Sequence, residues 1–177
     1  VSQLKKAGYN VRRIAGKDRY ETAEKIGDEV RLTSNNKNEV ILVDGTNFPD
    51  VITLSTLANQ KRDPILLTQP KALNFVTNRL LGAWRIDKVT IGGEKTSVSK
   101  NVEDTVKAKT KAVDRIGGAT RYETAYKVAD QVRRLTNNEK DLILVDGTNF
   151  PDGITISSLA AKFKAPILLT KPDKLHP

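Results

Sequence analysis

Residues 40–50 read Val40-Ile-Leu-Val-Asp44-Gly-Thr-Asn47-Phe-Pro-Asp50, an apolar run followed by a polar turn sequence. Four apolar residues without alternation are typical of a strand that is buried on both faces of a parallel sheet. The turn sequence ends in a proline and an acidic residue, and both favour the first turn of a helix. The segment therefore predicts a strand, a short loop and a helix.

The same segment returns at residues 142–152, so the chain contains a repeat with a period of 102 residues. Two further segments return at this offset: Arg13–Ala23 as Arg115–Ala125, and Pro64–Thr68 as Pro166–Thr170. A gapless alignment of residues 13–75 with residues 115–177 contains 36 identities in 63 positions. Identity at this level indicates two copies of one structural unit.

The chain contains one complete copy and parts of two others. We expect residues 1–12 to be the tail of a preceding copy, residues 13–114 to be a complete copy, and residues 115–177 to be the first part of a second copy. The counterpart of residues 76–114 would lie beyond Pro177.

Each period predicts strand followed by helix four times, with strands at 11–15, 40–43, 64–68 and 88–91. Asp18 and Thr120 each precede a Glu by three residues, which is the capping-box signature of a helix start. Asparagine-rich loops that include Asn36 follow these helices. We expect an α/β fold, a tandem repeat of four βα units per copy, with parallel sheets and helices on both faces, as in Rossmann-like or Toprim-like lobes.

The composition excludes several kinds of site. The chain has no cysteine and no methionine, and its single histidine is His176. Disulfides, thiolate metal sites and Cys nucleophiles are therefore excluded, and a Ser-His-Asp triad or a multi-histidine metal site is not expected. No apolar run approaches the roughly 18 residues that a membrane helix needs. We expect no cofactor, no metal and no membrane insertion.

The net charge of +9 favours an anionic partner, such as nucleic acid, a membrane surface or an acidic polymer. Residues 1–12, 13–114 and 115–177 each carry a net charge of +3. This even distribution is also compatible with an ordinary solvated surface. It contains no basic stripe, so we expect no nucleic-acid partner.

Ligands of parallel α/β sheets bind at the carboxyl ends of the strands, where helix N-termini also point. The loops at these ends are Ala15–Arg19, Asp44–Asp50 and Gly92–Thr96, with Gly117–Arg121 and Asp146–Asp152 in the second copy. Gly92 and Gly93 form a strand-to-helix turn. It lacks the spacing of the known nucleotide-binding glycine motifs.

Asn47 and Asp50, and their counterparts Asn149 and Asp152, offer amide and carboxylate groups in one loop of each copy. Such groups can form hydrogen bonds with sugar hydroxyls. The alternative is a structural role, in which Asn47 caps the following helix and Asp50 interacts with its positive end.

Arg19 and Arg121 lie in the first turn of a helix, where a cation is unfavourable by a few tenths to about 1 kcal/mol. The same placement in both copies points to an anionic partner such as a carboxylate or a phosphate. The alternative is an internal salt bridge to Asp44 or Asp146 in the neighbouring loop.

Taken together, these segments resemble the clostridial type-2 cell-wall-binding repeat family. The resemblance rests on the segments Arg13-Ile-x-Gly-x-x-Arg19-Tyr-x-Thr-Ala, Val40-Ile-Leu-Val-x-Gly-x-Asn-Phe-Pro-Asp50, Pro64-Ile-Leu-Leu-Thr68 and Val89-x-Ile-Gly-Gly-x-x-x-Ser-Val-Ser99. It covers nearly the whole chain, and several linked motifs in a fixed order make it specific.

The resemblance implies a secreted, non-catalytic anchor at the surface of Gram-positive bacteria. Such anchors bind noncovalently to an anionic, teichoic-like polysaccharide of the cell wall. Family members usually carry three tandem copies that form a three-part α/β module, so further repeats of the same protein are expected partners. We expect the arginines to contact anionic groups and Asn and Asp to orient hydroxyls, with Gly92 and Gly93 at the same site. Repetition would raise avidity along a repeating glycan.

The chain departs from the family pattern in two ways. Val51 and Gly153 stand where the family often has alanine, and fewer than three copies are present. Two other interpretations stay open at this point: a fragment of a wall-active hydrolase such as an amidase, or a nucleic-acid-binding α/β domain.

Overall fold

The computed structural model describes residues 1–35 and 37–175, so the loop residue Asn36 and the single histidine, His176, lie outside the described residues. The elements follow in the order α1 (Ser2–Lys6), α2 (Arg19–Thr33), β1 (Glu39–Asp44), α3 (Pro49–Lys61), β2 (Ile65–Thr68), α4 (Phe75–Ala83), β3 (Lys88–Gly92), α5 (Lys100–Lys107), β4 (Ala112–Ile116), α6 (Arg121–Thr136), β5 (Ile143–Asp146), α7 (Pro151–Phe163) and β6 (Ile167–Thr170). None of the helices within these ranges is both long and apolar enough to cross a membrane.

The strands form two parallel sheets. Strands β1 to β4 make a four-stranded sheet in the order β2-β1-β3-β4, and β5 and β6 make a two-stranded sheet. Ile41 pairs with Ile65 in the first sheet and Ile143 pairs with Ile167 in the second, so equivalent residues of the two copies share one register. The parallel pairing confirms the prediction from the unbroken apolar runs.

Alternate residues of β1 serve cores on opposite faces of the four-stranded sheet. Val40 and Leu42 pack in a cluster that includes residues of α4 and α5. Ile41 and Val43 pack in a second cluster with residues of α3 and α6. Helices thus cover both faces, as the predicted fold class requires.

The helix caps predicted at Asp18 and Thr120 are present, and the cap considered at Asn47 is not. The side chains of Asp18 and Thr120 accept hydrogen bonds from first-turn N–H groups of α2 and α6, which confirms both predicted caps. The alternative in which Asn47 caps the following helix was wrong. Helix α3 begins at Pro49 with Phe48 in the capping position, and Asn47 Oδ1 accepts the N–H of Phe48 at 3.0 Å.

The prediction of a strand at residues 11–15 was also wrong, because this segment belongs to neither sheet. Its equivalent in the second copy is β4, which pairs in parallel with β3 of the first copy, Val113 beside Val89. The first strand of the second copy therefore completes the sheet of the first. By the same arrangement, residues 11–15 would pair with the β3 strand of a preceding copy, which the described residues do not include.

One face of the two-stranded sheet is open. Leu142 and Leu144 are 58% and 47% exposed, whereas their equivalents Val40 and Leu42 are 1% and 0% exposed. The difference arises because α4 and α5, which cover Val40 and Leu42, have no equivalents among the described residues.

Candidate functional site

The two copies share one interface, and α6 lies at its centre. Val128 and Val132 of α6 pack with Leu54 and Leu57 of α3 in the core of the first copy. Ala125, elsewhere on α6, packs into the core that includes residues of β5 and β6. Because α6 belongs to the second copy and α3 to the first, this packing fixes the orientation of one copy against the other.

Two glycines of the second copy permit the close approach. A Cβ on Gly153 would lie 2.7 Å from Cδ1 of Ile52, and a Cβ on Gly117 would lie 2.6 Å from the carbonyl carbon of Gly93. The first copy has larger residues, Val51 and Ala15, at the positions equivalent to Gly153 and Gly117. Contact with Ile52 thus explains why position 153 departs from the family pattern.

A polar pocket of about 120 Å³ lies beside this interface, at the carboxyl ends of β1, β3 and β4. Its lining includes Asn47, Asp50, Glu94, Ser97, Thr120 and Arg121. The N–H of Gly93 donates to the carbonyl of Ile116 at 2.8 Å, which joins the loops of the two copies. Three of the predicted loops, two from the first copy and one from the second, therefore meet at one place.

Arg121 extends across the interface. Its Nη1 donates to the Gly147 carbonyl of its own copy at 2.6 Å, and its Cζ lies 5.7 Å from the centroid of the Phe48 ring in the first copy. The equivalent Arg19 donates to the Gly45 carbonyl and is exposed. The two arginines thus make the same hydrogen bond, but only Arg121 lies in the polar pocket.

The internal salt bridge considered for the arginines is not the contact found. Asp44 Oδ1 accepts the N–H and the hydroxyl of Thr46, both at 2.7 Å. Asp146 Oδ1 accepts the same two groups of Thr148, at 2.8 and 2.7 Å. Both aspartates thus hold the turn, while the arginines donate to neutral carbonyl groups.

Asp50 is half-buried in the pocket. Burial raises the pKa of Asp50 above its ordinary value, while a hydrogen bond with Ser97 lowers it; the nearby carboxylate of Asp44 raises it and the positive charge of Arg121 lowers it. A Cβ on Gly93 would lie 2.3 Å from Oδ2 of Asp50, and Gly93 has a φ of 88°. Position 93 therefore requires glycine for both its backbone conformation and its approach to Asp50.

The equivalent loop of the second copy is more exposed. Asn149 Oδ1 accepts the N–H of the following residue at 2.9 Å, as Asn47 does at 3.0 Å. Asp152 is exposed, whereas Asp50 is half-buried. The residues equivalent to the β3–α5 loop, which closes the pocket over Asp50, are not part of the described chain.

The predicted site residues therefore separate into three groups. The structure brings together Asn47, Asp50, Gly93 and Arg121. It places Arg19, Asn149 and Asp152 outside this pocket. Gly92 faces the core instead, where a Cβ would lie 1.9 Å from Cδ1 of Leu54.

Arg115, at the end of β4, holds the glycine turn in place. It donates to the carbonyls of Gly93 and Val98 at 2.7 and 2.9 Å, and it forms an ion pair with Glu103 at 2.8 Å. Hydrogen bonds from Lys107 and Arg115 lower the pKa of Glu103 to about 2. A residue of the second copy thus fixes a loop of the first copy that lines the pocket.

An apolar groove of about 870 Å³ lies between α2 and α3, and Arg19 is part of its lining. Its apolar lining includes Ile26, Val30 and Val51. The equivalents of these three residues, Val128, Val132 and Gly153, are buried where α3 packs on the second copy. The groove in the first copy is therefore equivalent to the surface of the second copy that α3 covers.

Sequence reasoning missed Glu94, Ser97 and Thr120 as pocket residues. A signal for Ser97 was available, because two serines follow the glycine turn and a helix needs only one cap. Ser99 is that cap, accepting the N–H of Val102 at 3.4 Å, and Ser97 is the hydrogen-bond partner of Asp50.

The pocket combines one guanidinium, two carboxylates and one amide beside the N-termini of α3 and α6. Its volume is well above the roughly 10–15 Å³ that a cavity needs to hold one water molecule. It can hold a phosphate, a carboxylate or a hydroxymethyl group, with the rest of a larger ligand outside. Within residues 1–35 and 37–175, no group of three or more His, Cys, Asp or Glu side chains is arranged to hold a metal ion.

Comparison with known proteins places the chain in a family. The model of Cell wall binding domain 2 (CWB2) matches residues 13–103 and 115–177. The amidase enhancer of Bacillus subtilis (strain 168) is 38% identical over 167 residues, which are 92% of this chain and 22% of that protein. The N-acetylmuramoyl-L-alanine amidase LytC of the same strain is 29% identical over 170 residues, which are 96% of this chain and 33% of that protein.

Solved structures agree with this placement. Cwp6 from Clostridium difficile superposes with a TM-score of 0.82 at 28% identity, covering 92% of this chain and 25% of that one. Cwp8 from the same organism has a TM-score of 0.78 at 28% identity, covering 96% of this chain and 30% of that one. The chain thus spans a third or less of each of these four proteins. It belongs to the cell wall binding domain 2 family and is a cell-wall anchoring module of a surface protein.

Proposed function

We propose that this module binds an anionic polysaccharide of the Gram-positive cell wall, noncovalently and without cleaving it. Family membership supports a wall ligand, and the net charge of +9 supports an anionic one. The observation that carries the proposal is the pocket in which Arg121 lies beside Asn47 and Asp50. A guanidinium pairs well with phosphate or carboxylate groups, and amide and carboxylate groups form hydrogen bonds with sugar hydroxyls.

The proposed contacts are Arg121 for the anionic group and Asn47 and Asp50 for neighbouring hydroxyls. Gly92 and Gly93 shape the turn beside them, Gly92 through its packing and Gly93 through its approach to Asp50. The other predicted residues, Arg19, Asn149 and Asp152, would make equivalent contacts only beside a further copy of the repeat.

We also propose that this chain is part of a three-part module completed by a further repeat. The groove between α2 and α3 supports it, because the equivalent surface of the second copy holds an α3 helix. We expect the occupant of the groove to be a helix of the α3 type from another repeat of the same protein. Val51 takes the place of Gly153 here, so that helix should present a smaller side chain than Ile52 at this point.

The experiment is a pull-down with purified Gram-positive sacculi, performed before and after acid treatment that strips the secondary polymer. We expect the chain to sediment with intact sacculi and to remain in solution with stripped ones. Sedimentation that is equal in both samples would place the ligand in peptidoglycan and contradict the proposal.

Hydrolysis is the competing function, since two relatives are named for an amidase and for its enhancement. Release of soluble wall fragments by the chain alone would support it. The nucleic-acid alternative predicts retention on DNA that falls steeply with added salt. Either result would require another assignment for the pocket.

A further inference from the structure

We infer that a complete polymer site forms only at the junction of two consecutive copies, so the described residues hold one complete site and two partial ones. This inference rests on the proposed function and adds to it the composition of the site. The earlier copy contributes Asn47, Asp50 and the β3–α5 loop, and the later copy contributes Arg121.

The pocket is built from residues of two copies. The loop that precedes α6 lies against the glycine turn so closely that Gly117 has no room for a Cβ beside the backbone of Gly93. Arg115 adds a hydrogen bond to the carbonyl of Gly93 and another to the carbonyl of Val98, later in the same loop. The pocket walls are therefore held together by contacts that a single copy cannot make.

Equivalent site residues of the two copies are identical in type but have different surroundings. Arg121 is half-buried and lies over the Phe48 ring, whereas Arg19 is exposed. Asp50 is half-buried and bonded to Ser97, whereas Asp152 is exposed. Sequence identity between the copies thus does not extend to the environment of these residues.

The size and charge of the junction pocket restrict the ligand that it can bind. Its volume of about 120 Å³ admits one anionic group. The carboxylates of Asp50 and Glu94 beside Arg121 favour a ligand that brings hydroxyl donors together with its negative charge. A polyhydroxylated anionic saccharide has this combination, whereas a simple polyanion would meet two carboxylates without donors to offer them.

The test uses the full chain and matched pairs of variants in the sacculus pull-down. Arg121→Ala is paired with Arg19→Ala, since both arginines donate to the equivalent glycine carbonyl. Asn47→Ala is paired with Asn149→Ala, since both side chains accept the next N–H of their loop. We expect the first member of each pair to weaken binding by about tenfold or more and the second to leave it within about twofold.

Thermal unfolding of the four variants separates a lost contact from a lost fold. The asparagine pair gives the cleaner comparison if Arg121→Ala loosens the interface. Equal loss of binding within each pair would mean two equivalent sites and would overturn the inference while leaving the proposed function intact. Failure of the unmodified chain to bind intact sacculi would remove the proposed function, and the inference with it.

Discussion

The hydroxyl oxygens of Ser55 and Ser157 lie 3.2 Å apart, and the two serines occupy the same position in the two copies of the repeat. Phe48 and Phe150 form a second equivalent pair, with ring centroids 5.6 Å apart. Equivalent residues that touch lie near the axis that relates the copies. Yet α3 packs closely on α6, and the described structure has no matching packing of α2 on α7. The relation is therefore head-to-tail and leaves an unmatched face at each end.

This asymmetry predicts unequal effects of one substitution at two equivalent positions. Val128 is 0% exposed under α3, so Val128→Asp buries an unpaired charge and should cost at least about 3 kcal/mol of unfolding free energy. Ile26 is 47% exposed, so Ile26→Asp should change stability by about 0.5 kcal/mol or less. Urea unfolding of both variants measures the difference. Equal losses would show that α6 does not lie in the interface described.

The contact between Gly153 and Ile52 predicts a coupled effect. Gly153→Val introduces the residue that the first copy carries and should cost about 1–3 kcal/mol, because the new side chain overlaps Ile52. Shortening the neighbour should relieve part of this cost. Gly153→Val combined with Ile52→Ala is therefore expected to be more stable than the sum of the single effects predicts. Additive losses in the double-mutant cycle would rule out the overlap.

Because the pKa of Glu103 is lowered, we expect the free energy of unfolding to fall at acid pH. Its pKa in the folded chain, about 2, is below the ordinary value of 4.5, so its stabilising effect is present above about pH 4.5 and is lost as the pH falls toward 2. Glu103→Gln should cost about 1.5–3 kcal/mol at neutral pH, the range for hydrogen bonds to a charged group. The difference between the unmodified chain and this variant should shrink on acidification. The control is Glu29→Gln, which removes the exposed ion pair with Arg12 and should have a smaller effect.

From the raised pKa of Asp50 and its place beside Arg121, we expect polymer binding to strengthen in mild acid. Burial raises its pKa, so on acidification Asp50 takes up a proton at a higher pH than an ordinary carboxyl does, and a negative charge beside Arg121 disappears. Asp44 and Glu94 are the other carboxylates near this charge. Asp50→Asn should retain binding at neutral pH and show a weaker dependence on pH than the unmodified chain.

The matched control for this prediction is Asp152→Asn in the exposed loop of the second copy. It should keep the pH profile of the unmodified chain, and using both variants also cancels any titration of the wall itself. Identical profiles for all three proteins would exclude Asp50 as the titrating group.

Much of the fold could be predicted because its signals are local. The apolar runs became parallel strands, Asp18 and Thr120 became helix caps, and the motifs identified the family, the wall-anchoring function and the cell-surface location. The strand expected at residues 11–15 could not be judged locally, because a strand needs an edge and the edge lies in another copy. The loops of the candidate site could be predicted too, because each lies between a strand and a helix that local sequence signals identify.

The grouping of the site residues was beyond sequence reasoning. Arg19 and Arg121 lie in nearly identical segments, and nothing in those segments states which copy each side chain meets. The distinguishing signal is small: Gly117 and Gly153 replace Ala15 and Val51 only where another copy packs closely. Differences of this kind between the copies can be interpreted only when the interface between them is known.

Because β4 completes the sheet of the copy before it, the unit that alignment defines and the unit that folds are out of phase by one strand. A fragment excised after residue 114 would end inside β4 and leave the β3 edge partly unpaired. An expression fragment of one copy should instead extend through residue 118. Consecutive repeats of this kind share a β-sheet through backbone hydrogen bonds, so they resist separation more than domains joined only by a flexible linker do.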